Sequence, residues 1–253
     1  MTDSTDTLIC SDHGDGVTEI RLNRGPVNAL SPALLMDLAA LLDRLEADET
    51  VRAVVISSGF KVFSAGLDLK EAKDFDLTQE QDIVEGLNVG FLRLFTFAKP
   101  VVVAVNGAAI AGGLFFVLAS DFRVAGPRAS FGLAEIRVGV DFPVGPMEIA
   151  RATLDPNALR RLMLTGQPIP VDQARDIGLV DVLEDGGDAV LARAILEARK
   201  LGELPSIAYA AVKRQIREPA VSTIESAIAQ GANRPVDGWF NSQSRDAMRR
   251  MIG

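Results

Sequence analysis

The chain has 253 residues, of which 48% are hydrophobic and 24% are charged, and its formal net charge is −8. This profile is typical of a globular α/β protein, and the acidic balance excludes a general nucleic-acid-binding surface. The single cysteine, Cys10, excludes an intrachain disulfide, and the single histidine, His13, lies in an Asp/Gly turn where we expect solvent contact. One Cys and one His also argue against a Cys–His or Ser–His hydrolase and against a zinc site, so we expect no metal.

No targeting or membrane segment is evident in the sequence. The N-terminus, Met1–Asp6, is polar and acidic, unlike a secretory signal or a transit peptide. The longest apolar run, from Pro100 to Ala119, is interrupted by Asn106 and by glycines, which excludes a transmembrane helix. We therefore expect a cytoplasmic protein that does not associate with membranes.

The first elements predict a βαβ unit. Two short strands are expected near Leu8–Ile9 and Val17–Leu22. Ser31 followed by Pro32 is a strong helix start, and leucines at three- and four-residue spacings give the helix one apolar face. The β-branched run Val51–Ser57 then predicts a buried strand, parallel to the second one.

The stretch from Lys61 to Lys70 follows this strand and turns through the small residues Ser64, Ala65 and Gly66. Small side chains let backbone N–H groups face a ligand without an obstructing Cβ. We predict that the amide of Ala65 donates a hydrogen bond to an oxygen of the ligand.

The next segment, Glu71–Gln81, is polar and lacks apolar periodicity, which predicts a mobile loop. Such a loop would be either a surface connection or a lid. A helix that ends near Phe97 and a buried strand at Pro100–Val105 follow.

The paired glycines Gly112 and Gly113 precede a short apolar helix, Leu114–Ser120. They would allow close packing of the helix on a strand. Alternatively, the start of this helix presents a free N–H and the positive end of its dipole to an anion. In the second interpretation Gly112 joins Ala65 as a second donor.

Glu135 lies among small and apolar neighbours and is either an ordinary exposed carboxylate or a catalytic base. After Pro146 the pattern turns helical, with helices predicted at Ile207–Arg217 and Val221–Ala232 among others. The change from mixed to all-helical patterns predicts a core of residues 1–187 and a helical subdomain of residues 188–253.

Together these motifs resemble the crotonase family, the enoyl-CoA hydratase/isomerase superfamily. The resemblance runs from Asn23–Leu30 to Asp176–Asp181 and is most specific at Phe63–Leu69 and Ala104–Gly113. It implies an α/β fold, a spiral of ββα units with a C-terminal helical subdomain that forms homotrimers or dimers of trimers. It also implies an acyl-CoA substrate, with coenzyme A as part of the substrate and no separate cofactor.

In this family two backbone amides polarise the thioester carbonyl, and the matching positions are Ala65 and Gly112. Hydratases of the family use two glutamates; Phe115 stands at the first position and Glu135 at the second. The chemistry left to one carboxylate is a proton shuttle. The resemblance is closest to the mitochondrial-type Δ3,Δ2-enoyl-CoA isomerases of fatty acid β-oxidation, and Pro143 also matches that branch.

Two alternatives stay open. The chain could catalyse hydration or another crotonase reaction, with Asp141 or a bound water replacing the missing glutamate. It could also bind acyl-CoA without catalysis, because backbone donors would survive a loss of activity.

The resemblance further implies which residues hold the acyl-CoA. They surround the two donors and comprise Lys61, Ser64, Ala65, Gly66, Leu67, Asp68, Leu69, Gly112, Phe115 and Pro143. Cations near these residues and in the last helix either bind the phosphates or only solubilise the surface; they are Lys61, Lys70, Lys73, Arg245, Arg249 and Arg250.

Overall fold

The computed structural model describes residues 5–252; residues 1–4, where no secretion signal was predicted, and Gly253 lie outside the described residues. The strands are β1 (Leu8–Asp12), β2 (Val17–Leu22), β3 (Ala53–Ser58), β4 (Val101–Val105), β5 (Ala108–Ile110), β6 (Phe122–Ala125), β7 (Ser130–Gly132), β8 (Ile169–Pro170) and β9 (Val182–Leu183). The α-helices are α1 (Pro32–Ala47), α2 (Leu69–Ala72), α3 (Leu77–Thr96), α4 (Phe115–Leu118), α5 (Val144–Thr153), α6 (Pro156–Thr165), α7 (Val171–Asp176), α8 (Gly187–Gly202), α9 (Ser206–Ala229) and α10 (Ser242–Ile252). Two 3₁₀ helices, Ala111–Leu114 and Glu135–Val138, complete the regular structure.

The predicted βαβ unit is confirmed. β2 and β3 are parallel, and α1 connects them. The Ser31 hydroxyl caps α1 by accepting the amide of Leu34, and the leucines of α1 are buried in the main core. Local signals therefore predicted where α1 begins, whereas β3 runs from Ala53 to Ser58 rather than from Val51 to Ser57.

The elements form two sheets. One has the order β1-β2-β3-β4-β6-β9 and is parallel except for the β1–β2 pair; the other has the order β5-β7-β8. α1 and α3 pack together beside the larger sheet, while α8 covers its other face. The division after residue 187 stays a prediction, although α8, which begins at Gly187 and continues past this division, packs on the larger sheet.

Two segments differ from the predictions. Residues 71–81 are not one loop, because Asp76 and Gln79 form a capping box that starts α3 at Leu77. The region around Pro219 is one continuous helix, α9, rather than two. Arg217 and Ala220 are buried on either side of the proline, so tertiary packing holds the helix despite the lost donor.

Two isolated bridges bring distant segments together. Ser64 pairs with Ala109 of β5, and Leu30 pairs with Leu67. The turn after β3 therefore lies against the chain that leads into the first 3₁₀ helix. None of the helices within residues 5–252 combines the length and the apolar character that a membrane span requires.

Candidate active site

A cavity of about 540 Å³ lies where these segments meet. Its lining is mainly apolar and draws on the segments 26–30, 65–70, 110–115 and 134–146, with Leu87 of α3 and four residues near the C-terminus. Because this lining includes both predicted donor turns and Glu135, the cavity is the candidate active site.

The amide predicted as the first donor is already bonded. Ala65 N donates to the Val27 carbonyl oxygen at 3.0 Å, so the prediction that this amide polarises a ligand oxygen is wrong. Two residues on, Leu67 bridges to Leu30, and the bridge bond runs from the Leu30 amide to the Gly66 carbonyl at 2.8 Å. In a parallel bridge of this kind the Leu67 amide points away from Leu30, and within residues 5–252 it meets no acceptor.

Gly112, the other predicted donor, lines the same cavity. It is the second residue of its 3₁₀ helix, so its N–H has no acceptor inside that helix. Ala111 precedes it with φ of +51°, a strained left-handed conformation that turns the chain into the helix. Gly66 packs on this turn, where an added Cβ would lie 2.8 Å from Ala111 Cβ and 3.1 Å from Gly112 N. The amides of Leu67 and Gly112 therefore belong to adjoining turns of one cavity.

Glu135 begins the second 3₁₀ helix and lines the cavity. Only 7% of the residue is exposed, and its Oε2 atom is buried without a hydrogen-bond partner among residues 5–252. Burial disfavours the charged carboxylate and raises the pKa of Glu135 to about 8. A carboxyl group with such a pKa can take up and release a proton near neutral pH, as a general base requires.

An aromatic wall includes Phe115, which the resemblance to the crotonase family matches to a glutamate of the hydratases. Phe115 is 1% exposed, and its ring centroid lies 5.6 Å from that of Phe91 and 6.4 Å from that of Phe142. The other carboxylate on the lining, Asp68, caps α2 and lies 3.3 Å from Arg24. Among residues 5–252, the cavity lining therefore offers no second unpaired carboxyl group beside Glu135.

The predicted acyl-CoA contacts fall into two groups. Ala65, Leu67, Asp68, Leu69, Gly112, Phe115 and Pro143 line the cavity, whereas Lys61, Ser64 and Gly66 do not. Ser64 is fully buried and donates its hydroxyl to the Asn28 carbonyl at 2.8 Å, so it braces the turn and cannot touch a ligand. Gly66 contributes by allowing the close backbone contact described above.

Asp141 lies outside the cavity. It is exposed, and its Oδ1 atom accepts the indole N–H of Trp239 at 3.1 Å. It therefore does not supply a second acid to this lining.

Among the predicted phosphate-binding cations, Lys70 lines the cavity with an exposed side chain. Lys73 pairs with Asp74 at 2.5 Å, and Arg245 donates to two backbone carbonyls of residues 73–75. Arg249 lies 3.6 Å from Asp246. Lys70 is thus the member of this set that lies on the cavity lining, and its role in binding phosphate stays a prediction.

Two features of the lining were not predicted from the sequence. One is the amide of Leu67, whose orientation depends on backbone bonds to a distant segment. The other is the presence of Trp239 and Met248, which reach the cavity from the C-terminal region. The only signal for the second feature was the presence of the chain's single Trp in an otherwise polar stretch.

Comparisons with known proteins identify the family to which the chain belongs. The sequence profile described as enoyl-CoA hydratase/isomerase matches residues 12–246. A probable enoyl-CoA hydratase from Bacillus subtilis (strain 168) is 27% identical over 239 residues, 93% of this chain and 92% of that protein. The mitochondrial enoyl-CoA delta isomerase 1 of Homo sapiens is 33% identical over 177 residues, 69% of this chain and 59% of that protein.

A solved structure is similar over nearly the whole chain. The crystal structure of human mitochondrial delta3-delta2-enoyl-CoA isomerase is similar with a TM-score of 0.87 at 26% identity, over 97% of this chain and 96% of that one. The predicted α/β fold of crotonase type, with a helical C-terminal region, is therefore confirmed.

Proposed function

The chain belongs to the enoyl-CoA hydratase/isomerase family, and within this family we propose that it is a Δ3,Δ2-enoyl-CoA isomerase. One observation carries the proposal: the cavity contains a buried carboxyl group at Glu135 and an apolar ring at Phe115, where the hydratases have a second glutamate. Hydration requires a water to be activated and oriented and a proton to be delivered. An aromatic ring does neither, and it also keeps the site dry.

The proposed reaction moves one proton. The carboxylate of Glu135 removes a proton from C2 of a 3-enoyl-CoA, and the electron pair spreads into a dienolate over the thioester oxygen. The amides of Leu67 and Gly112 hold that oxygen as its negative charge develops. Glu135 then returns the proton to C4, which leaves the double bond between C2 and C3 and regenerates the base.

The raised pKa of Glu135 supports both halves of this cycle. A base in an apolar cavity is strong enough to take a carbon-bound proton once it is ionised. The proton that Glu135 has taken up is not lost to water, because the surrounding lining is apolar and the carboxyl group is buried. The same group can therefore serve as base and then as acid.

A hydratase is the second candidate, favoured by the name of the Bacillus subtilis relative. It would need a water and a second acid, and the position of Asp141 outside the lining argues against that residue. A protein that only binds acyl-CoA is a third possibility. A buried carboxyl group beside the thioester would serve no purpose in it, and its desolvation would cost stability.

The experiment that tests the proposal supplies the pure protein with 3-enoyl-CoA and, separately, with trans-2-enoyl-CoA. We expect rapid conversion of the first and negligible hydration of the second. Efficient formation of 3-hydroxyacyl-CoA would contradict the proposal and favour the hydratase. A Glu135→Gln variant should retain saturated acyl-CoA binding and lose turnover; turnover close to wild type would remove Glu135 from the reaction.

The assembly into a homotrimer or a dimer of trimers and the cytoplasmic location stay predictions. Sedimentation of the purified protein and fractionation of cells would test them.

A further inference from the structure

Glu80 is a buried carboxylate that the proposed reaction does not use. It lies in the first turn of α3 and is 2% exposed. Its Oε2 atom accepts the backbone amides of Trp239 at 2.6 Å and Phe240 at 2.8 Å, and its Oε1 atom pairs with Arg245. Gly238, with φ of +78°, packs so closely on Oε2 that a Cβ would collide with it. Every partner of this carboxylate therefore lies between residues 238 and 245.

Those partners belong to the C-terminal cover, which we define as residues 233–252. Trp239 and Met248 of the cover line the candidate active site, as do Met251 and Ile252. Phe240 and Met248 also form a small apolar cluster with Ala72, Val138 and Val140. The cover thus packs on α2, which follows the Leu67 donor, and on the 3₁₀ helix that begins at Glu135.

Further bonds of the cover differ in exposure. Asn88 of α3 donates to the Asn233 side chain at 2.9 Å. Arg234 pairs with Asp82 at 3.3 Å and Glu85 at 2.8 Å, but these side chains are all at least a third exposed. Exposed pairs contribute little, whereas a buried carboxylate with several donors is costly to disrupt. Glu80 is therefore the strongest polar anchor of this part of the cover.

We propose that Glu80 is a positioning residue that holds the C-terminal cover over the active site of its own chain. The cover joins the donor side of the cavity to the Glu135 side and excludes water from both. This role rests on the proposed function, because dryness at Glu135 matters only if that residue moves a proton. Glu80 acts through the cover and does not touch the substrate.

Trp239 provides a direct probe, because it is the chain's single Trp. It is half-buried and lies in the cover, so its emission reports where the cover sits. We expect Glu80→Ala to shift this emission to longer wavelength and to weaken binding of octanoyl-CoA at least tenfold. Glu85→Gln removes an exposed partner on the same helix, and we expect both readouts to match wild type.

A glycine pair keeps the test informative if Glu80→Ala fails to fold. Gly238→Ala adds a Cβ against the Glu80 carboxylate, whereas Gly231→Ala adds one in open space; both positions have positive φ, +78° and +95°. Both variants therefore strain the backbone, but only Gly238→Ala introduces a collision with the Glu80 carboxylate. We expect Gly238→Ala to reproduce the emission shift and the tenfold loss of affinity, and Gly231→Ala to leave both unchanged.

The pH profile of kcat/KM and the value of KM distinguish a role of Glu80 in positioning the cover from a role in stability alone. Opening the cover lets water reach Glu135, whose pKa then falls from its raised value toward that of an ordinary glutamate. The rising limb of kcat/KM against pH should move to lower pH in Gly238→Ala, while KM for 3-enoyl-CoA rises at least tenfold. The other charged side chains on the lining, Asp68 and Lys70, are unchanged in this variant.

The outcomes distinguish this inference from the proposed function. Trp239 emission and octanoyl-CoA binding can be measured without turnover. If the wild-type protein fails to isomerise 3-enoyl-CoA, the proposed function is contradicted, but the role of Glu80 can still be tested with these two measurements. Folded Glu80→Ala or Gly238→Ala protein with wild-type emission, wild-type affinity and an unmoved pH profile would overturn the anchor alone.

Discussion

Replacing Glu135 with Gln should change how stability depends on pH. In the folded protein the pKa of this carboxyl group is raised to about 8 by burial, from a usual value of 4.5. Between these two pH values the unfolded chain binds fewer protons at this site than the native protein does. The free energy of unfolding of the wild type must therefore fall as pH rises through this window, and it should level off above the folded pKa. Gln carries no titrating proton, so the variant lacks this contribution.

The size of the effect follows from the shift. A difference of one pKa unit is worth about 1.4 kcal/mol, so between pH 5 and pH 8 wild type should lose about 3–4 kcal/mol relative to Glu135→Gln. Any constant cost of burying the Gln amide cancels in this comparison of slopes. The measurement is urea unfolding of both proteins at several pH values, without acyl-CoA.

A matched control shows whether replacing any glutamate with Gln changes the pH dependence of stability. Glu218 of α9 is solvent-exposed, so Glu218→Gln should run parallel to wild type across the same pH range. If the Glu135→Gln curve also runs parallel to wild type, then Glu135 ionises normally in the folded protein. The desolvation on which its role as a base depends would then be refuted.

Three further predictions concern the donors, the aromatic wall and the core. Gly66→Ala places a Cβ 2.8 Å from Ala111 Cβ. It should lower kcat/KM about 10²–10³-fold, because that is the usual cost of losing one oxyanion donor. Gly178→Ala adds a Cβ at similar φ but in open space, so it should leave kcat/KM unchanged. Phe115→Ala empties a fully buried ring position and should lower the free energy of unfolding by about 3–5 kcal/mol in urea. Asp121→Asn removes the carboxylate 2.6 Å from the buried Lys213 ammonium and should cost about 3–5 kcal/mol in the same assay; a loss below about 1 kcal/mol would contradict the pairing.

Local signals predicted much of the fold. The strand Val17–Leu22 was placed correctly at both ends, and Ser31 with Pro32 started α1 where the structure starts it. The resemblance to a known family points to Glu135 and Phe115, and both residues lie on the cavity lining. These features depend on side chains close together in sequence.

Features that depend on distant contacts were missed. The choice between the amides of Ala65 and Leu67 is made by a bond to the Val27 carbonyl and by a bridge to Leu30. The continuity of α9 through Pro219 depends on burial against the core. Neither contact leaves a mark in the local sequence, so periodicity and turn chemistry could not have decided them.

In the proposed reaction one buried carboxyl group carries a proton from C2 to C4 without exchange with water. This transfer can be tested with 3-enoyl-CoA in which deuterium replaces both hydrogens on C2. The trans-2-enoyl-CoA product is analysed at low conversion. If Glu135 moves the proton inside a dry site, deuterium should be found at C4 of the product. A product with only solvent hydrogen at C4 would mean that water or a second acid delivers the proton, and it would contradict the single-carboxylate account.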